Sequence, residues 1–191
     1  MTHIDRSENR SAQQRFEVLY DRHHSRLRAY CRRRVATERV DDVVAETFLT
    51  AWRRIDVVPD GEAALLWLYR VAYRVVGHNW RGNERRRRLG SRAAGIRHLA
   101  AASPEEQVVD SDDIRRALAA AAQLNERDAE VLRLMCWERL SRAEIAAVLE
   151  LDPNTVGQRI HRAKKNLTRN FERLESHRPE RTPAAQKGGM S

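Results

Sequence analysis

The stretch from Ser141 to Asn170 admits very few local folds. Ser141-Arg142-Ala143-Glu144 has the form of a capping box. Its Ser side chain accepts from the third backbone N–H, and the Glu reaches back to the first. Ile145, Ala146 and Leu149 then supply a face to bury. Asp152-Pro153 restarts the chain, with Asp as N-cap and Pro at the first helical position, where its missing N–H costs nothing. The second helix sets Val156, Ile160, Ala163 and Leu167 on one stripe. Two helices joined by a short capped turn make a helix-turn-helix. At about 100° per residue, Asn154, Gln158, His161, Arg162, Lys165 and Arg169 fall on the opposite face. Hydrogen-bonding side chains near the start and cations along the length suit a helix entering the major groove of DNA. A solvated basic face has the same periodicity; the tandem arrangement is what favours DNA.

Charge points the same way. The chain of 191 residues carries a formal net charge of +9, which predicts affinity for a polyanion without choosing among DNA, RNA and anionic membrane. Most of the cations are arginine, whose planar fork suits phosphate and guanine, although a GC-rich genome accounts for arginine equally well. Cys31 and Cys136 lie far apart, with no metal-ligand spacing, so a reduced protein is expected. The polar start MTHIDRSENRSAQQRF has no apolar core for a signal peptide, and no apolar run approaches a bilayer span. A cytoplasmic location follows as an expectation.

Helix formers dominate and strand-like windows are few, so the expected fold is all-α, in two small helical domains joined by a flexible linker. A flexible N-terminus covers 1–10, the first block 11–90, a linker 91–111, the second block 112–175 and a disordered tail 176–191. The linker region changes sign along its length: seven Arg against Glu84 between Arg81 and Arg97, then five acids and no base between Pro104 and Asp113. In the first block, Phe16, Leu19, Tyr20, Leu27 and Tyr30 recur at helical spacing, as do Val40, Val44, Phe48 and Trp52. A loop at Asp56–Ala64, broken by Pro59 and Gly61, precedes a helix with Leu65, Leu68, Ala72, Val75 and Val76 on one face.

That third helix carries Arg70, Tyr73, Arg74, Gly77 and Arg81 on its other face, with Trp80 alongside and Arg85 to Arg88 beyond. Cations among aromatics fit single-stranded or melted nucleic acid; core packing of Trp67, Tyr69 and Trp80 is the competing account. Asp41, Asp42 and Glu46 make the second helix acidic, a face that would repel DNA and is either solvated or turned to a basic protein partner. In the second block, Ile114, Ala117, Leu118 and Ala121 form one helix. Asn125 caps the next, with Asp128 at its third position and Val131, Leu132 and Met135 to pack on the helix-turn-helix. His23, His24, His78 and His98 lie in no metal or catalytic spacing, so neither a metal nor a cofactor is expected, and no enzyme.

The order of these parts resembles a bacterial RNA polymerase sigma factor of the sigma-70 family, in the extracytoplasmic-function group. DDVVAETFLTAWRR looks like region 2.2, ALLWLYRVAYRVV like the helix of regions 2.3 and 2.4, and the stretch from LNERDAEVLRLMCW to IHRAKKNL like region four. The resemblance implies that Asp41, Asp42, Glu46 and Arg53 dock on core RNA polymerase at the β′ clamp, with the β flap as a further contact. Asp60, Arg70, Arg74, His78, Arg81 and Arg85 would capture and melt the minus-ten element of promoter DNA. Gln158, His161 and Arg162 would read the minus-thirty-five element, with Asn154, Thr155, Arg159 and Lys165 beside them on the DNA. An anti-sigma factor is an implied partner; a small-molecule substrate and membrane insertion are not. The sequence departs from the family at Arg74, where Asn is common, at His78, where Asp is common, at Ala45, where Gln is common, and at Gly157, where a basic residue is common. These departures bear on promoter choice.

Overall fold

A computed structural model describes residues 3–87 and 112–176, with side chains for 11–77 and 112–176. The described residues form seven α-helices and one 3-10 turn, with no strand among them: α1 (His3–Arg32), α2 (Thr37–Arg53), the turn Ile55–Val57, α3 (Glu62–Arg87), α4 (Asp112–Ala122), α5 (Glu126–Cys136), α6 (Arg142–Leu149) and α7 (Pro153–Ser176). The expected linker at 91–111, all but the first residue of the tail, and His98 lie outside the described residues.

In the first block, α2 buries Val40, Val43, Val44, Thr47, Phe48 and Ala51 along one face. These pack on Leu19, Leu27 and Tyr30 of α1. Two residues of the expected stripes stay near the surface: Tyr20 is 40% exposed and Trp52 38%. Both are held in an aromatic cluster instead, with Tyr20 on Phe48 (4.7 Å between centroids) and Phe16 edge-on to Trp52 (5.2 Å). Helix α3 is apolar nearly all round, with Leu65, Trp67, Leu68, Tyr69, Val71, Ala72, Val75 and Val76 all buried. A helix of that kind needs neighbours on both sides. Helices α1 and α2 cover one side and α6 of the second block covers the other.

The two blocks therefore share one continuous core, in which Val131, Leu134, Ile145, Ala146 and Val148 join the residues of α1, α2 and α3. At the seam sits a buried charge cluster. Arg34, just past α1, donates through Nε to the Glu130 carboxylate (2.9 and 3.1 Å) and through Nη1 to Glu138 (2.8 Å) and the Tyr30 carbonyl (2.9 Å). Its guanidinium lies 3.5 Å over the Tyr30 ring. Arg33 donates to Glu138 at 2.6 Å, and Arg133 to Glu130 at 3.2 Å. Burial works against the charge on Arg34, and the Glu130 and Glu138 carboxylates outweigh it, so the guanidinium stays protonated. Within the second block α7 is the spine, packed by α4, α5 and α6. Asn170 of α7 is buried and donates to the Ala120 carbonyl at 3.2 Å.

Candidate nucleic-acid interface

Helix α6 begins as its sequence requires. The Ser141 hydroxyl accepts from the Glu144 N–H (3.3 Å), and the Glu144 carboxylate accepts from the Ser141 N–H (2.8 Å). It ends at Glu150, which adopts a left-handed conformation (φ 54°), a common way for a helix to stop. Asp152 then accepts from the N–H groups of Asn154 (2.7 Å) and Thr155 (3.4 Å), starting α7. Val156 and Ala163 are buried with Ile160 and Leu167 half-buried, so Asn154, Gln158, His161 and Lys165 are turned outward and exposed. Thr155 and Arg159 sit half-buried at the edge of that face.

Arg162, expected to read a base edge, is exposed on the same face and pairs with a residue of the neighbouring helix. Its fork closes on Asp128 of α5, at 2.9 Å from Nε and 2.7 Å from Nη2. The Asp128 side chain is fully buried and also accepts from the Asn125 amide at 2.7 Å. The Arg162 hydrogen bonds hold the Asp128 carboxyl below the usual carboxylate range, burial opposing them. Arg162 thus ties the recognition helix to its neighbour, a role invisible without knowing what lies 34 residues upstream.

The residues nominated on the first block divide into two surfaces. On α2, Asp41, Asp42, Glu46 and Arg53 are all exposed, and Asp41 accepts from Arg28 of α1 at 3.0 Å. Leu49, 46% exposed, and Trp52 add apolar surface to the same helix. On the loop before α3, Asp60 is exposed and accepts from Arg15 at 3.3 Å, and Arg15 also donates to the Val58 carbonyl at 3.2 Å. Glu62, in the first turn of α3, accepts from Arg22 (3.2 Å) and Arg26 (2.7 Å). Helix α1 therefore steadies the loop through Arg15, Arg22 and Arg26, which sequence reasoning passed over. Their spacing of seven and four places them on one helix face, and that was the available signal.

Arg70 is half-exposed and Arg74 exposed, but Arg74 is engaged by Glu150 of the second block, at 3.2 Å from Nε and again through Nη2. The side chains of His78, Trp80, Arg81 and Arg85 lie outside the described ones. Trp67 and Tyr69 belong to the core, as the packing account held. His23 is buried with Nδ1 unpartnered, while its neighbour His24 stacks on Tyr20 at 4.8 Å. Burial foremost lowers the His23 pKa, so the ring favours its neutral form. The two adjacent histidines face different surroundings and cannot act as a pair.

Comparison with known proteins decides the class. The family model "Sigma-70 region 2" matches residues 19–86, and "Sigma-70, region 4" matches residues 114–167. The RNA polymerase sigma factor CnrH of Cupriavidus metallidurans is 31% identical over 136 residues, 68% of this chain and 71% of that protein. The chain belongs to the sigma-70 family of RNA polymerase sigma factors. Its group is the extracytoplasmic-function one: the ECF sigma factor SigL of Mycobacterium tuberculosis is 29% identical over 165 residues, covering 82% of this chain and 89% of SigL. Among solved structures, CnrH in complex with the cytosolic domain of CnrY covers 87% of this chain and 91% of that one, with a TM-score of 0.57 and 23% identity. RpoE of Bartonella quintana, in complex with the anti-sigma factor NepR, covers 90% and 99% with a TM-score of 0.54 and 17% identity. These likenesses share the fold. As a sigma factor, the protein directs core RNA polymerase to specific promoters and helps open the DNA for initiation. No helix among the described residues is long and apolar enough to cross a membrane.

Proposed function

We propose that this sigma factor grips a promoter at two points and performs no bond-making chemistry of its own, the polymerase forming the phosphodiester bonds in the cytoplasm. The observation that carries the reading is the outward face of α7, where Asn154, Gln158, His161 and Lys165 stand exposed on a helix started by Asp152. Gln158 and His161 read base edges of the minus-thirty-five element, and Asn154, Thr155, Arg159 and Lys165 contact its backbone. The loop around Asp60 and the row Arg70, Arg74, His78, Arg81 and Arg85 take the melted minus-ten strand, and the acidic α2 face with Arg53 meets the polymerase β′ clamp. The second block meets the β flap. An anti-sigma factor, as NepR is for the RpoE of Bartonella quintana, is a further partner.

This reading requires the blocks to part. The two promoter elements lie about 25 base pairs apart, which is about 85 Å at about 3.4 Å per base pair. A chain of 191 residues folded as one body is about 40 Å across. Binding both elements at once therefore breaks the Arg74–Glu150 pair and the Arg34 cluster. Run-off transcription with core polymerase on a promoter library tests the assignment. Gln158→Ala should change which minus-thirty-five sequences are used, and Arg70→Ala should reduce open-complex formation. A library profile unchanged by Gln158→Ala would remove α7 as the reader.

A further inference from the structure

Gly157 lies one helical turn before His161 and borders the exposed face of α7. The space a side chain would fill there is taken by Arg142, the first residue of α6. A Cβ placed on Gly157 would come within 3.2 Å of Arg142 Nη1 and 3.5 Å of its Cδ. The Arg142 side chain is thus laid across the recognition helix from the preceding helix. It is exposed, and it makes no ion pair among the described residues.

Arg142 is also in the wrong place for local stability. A cation in the first turn of a helix opposes the helix dipole, where an acid would be favoured. The neighbouring Glu144 already satisfies the capping box, so Arg142 contributes nothing to the cap. A residue that breaks a local rule without a compensating contact is expected where function selects it. In a helix-turn-helix the first helix crosses the DNA backbone while the second enters the groove, and an unpaired guanidinium at the junction of the two has a phosphate as its natural partner.

We propose that Arg142 is a DNA-contact residue that brings, from α6, a cation to the recognition helix beside Gly157, and that its target is a backbone phosphate of the promoter duplex. Gly157 is the other half of the arrangement, because a Cβ there would crowd the guanidinium and push it a few tenths of an ångström from its seat. The proposal rests on α7 being the duplex-reading helix.

Binding of labelled promoter duplex to holoenzyme, titrated with salt, tests both halves. Arg142→Ala should weaken all minus-thirty-five sequences alike and reduce the slope of log affinity against log salt by about 0.9. Gly157→Ala, whose Cβ crowds the guanidinium, should give a smaller loss. Gly157→Arg added to Arg142→Ala should restore the slope, since the vacated space accepts the new cation; a merely structural role for Arg142 would not be rescued in this way. Lys165→Ala serves as the reference. If Lys165→Ala lowers the slope and Arg142→Ala does not, Arg142 is no contact and the inference falls. A change of sequence preference in Arg142→Ala would also overturn the phosphate assignment. If neither variant alters the slope, the duplex-reading assignment of α7 fails and takes the inference with it.

Discussion

Arg162 and Lys165 look interchangeable on a helical wheel, yet the structure gives them different work. Arg162 neutralises Asp128, whose side chain has no access to water. Arg162→Ala would leave that carboxylate with only the hydrogen bond from the Asn125 amide, and a buried acceptor that loses a partner costs about 1–3 kcal/mol. The expected result is a lower urea midpoint at unchanged slope. The effect depends on pH in a defined direction. The folded-state pKa of Asp128 is depressed, and an unfolded aspartate titrates near 3.9. The stabilisation is therefore complete above about pH 5 and is lost as pH falls through the folded value. The difference between wild type and Arg162→Ala should shrink in that acid range; a constant difference down to about pH 2 would mean Asp128 is not the partner that matters. Lys165→Ala should leave stability unchanged and weaken binding to all DNA sequences alike, with a salt slope lower by about one. The sequence places both cations on one face of the helix, and both are exposed there. It could not show that one was already claimed, because the claimant lies on another helix.

At the level of elements, what was legible was what is encoded locally. The Ser141–Glu144 box, the Asp152-Pro153 start and the Asn125 cap with Asp128 three residues on all form as written. Each is a contact between residues two or three apart. Ser141→Ala should cost about 1 kcal/mol, the usual worth of such a cap, and hydrogen exchange should rise first at the N–H of Glu144, which loses its acceptor. An unchanged Glu144 amide would mean that the tertiary packing of α6, with Ile145 and Val148 buried, holds the turn without its cap. What was not legible was the second partner of α3. Its sequence shows one core face, Leu65, Leu68, Ala72, Val75 and Val76, and all five are buried. Val71, outside that stripe, is buried as well, and α6 packs on α3 in addition to α1 and α2. Periodicity reports that a helix has apolar surface, and says little about how many neighbours share it. Trp52 and Tyr20 show the converse: residues at core spacing that remain partly exposed on the rim of an aromatic cluster.

The whole molecule is held closed by a seam that joins an apolar core to a buried charge cluster and the exposed Arg74–Glu150 pair. Arg34, Glu130 and Glu138 are each almost wholly inaccessible, in a run, Cys31-Arg32-Arg33-Arg34, where nothing in the sequence separates the buried cation from its neighbours. A buried pair contributes little relative to an apolar replacement, but removing one member of it is costly, about 3–5 kcal/mol, because the other is stranded. Arg34→Met removes the cation that the two carboxylates share, leaving Glu130 with Arg133 of its own block and Glu138 with Arg33 across the seam. Separation of the blocks then gives up only Arg33–Glu138 of that cluster and lets water reach the acids, each block keeping its own helices. The wild-type protein, with one continuous core, should melt in a single transition whose calorimetric and van't Hoff enthalpies agree. Arg34→Met should keep its far-ultraviolet helicity at low temperature and melt in two transitions, or in one whose calorimetric enthalpy exceeds the van't Hoff value. The two thiols provide an independent reading of the same event. Cys136 is exposed, whereas Cys31 is buried with its thiol pushed up to about 12, chiefly by burial and in part by the Glu138 carboxylate across the seam. In the wild type one thiol should react quickly with a disulfide reagent and the second only on unfolding. In Arg34→Met the slow thiol should accelerate under native conditions. A variant that melts once, at a lower temperature, with Cys31 still protected would show that the charge cluster anchors only the end of α1 and that the apolar contacts of α3 with α6 suffice to keep the blocks together.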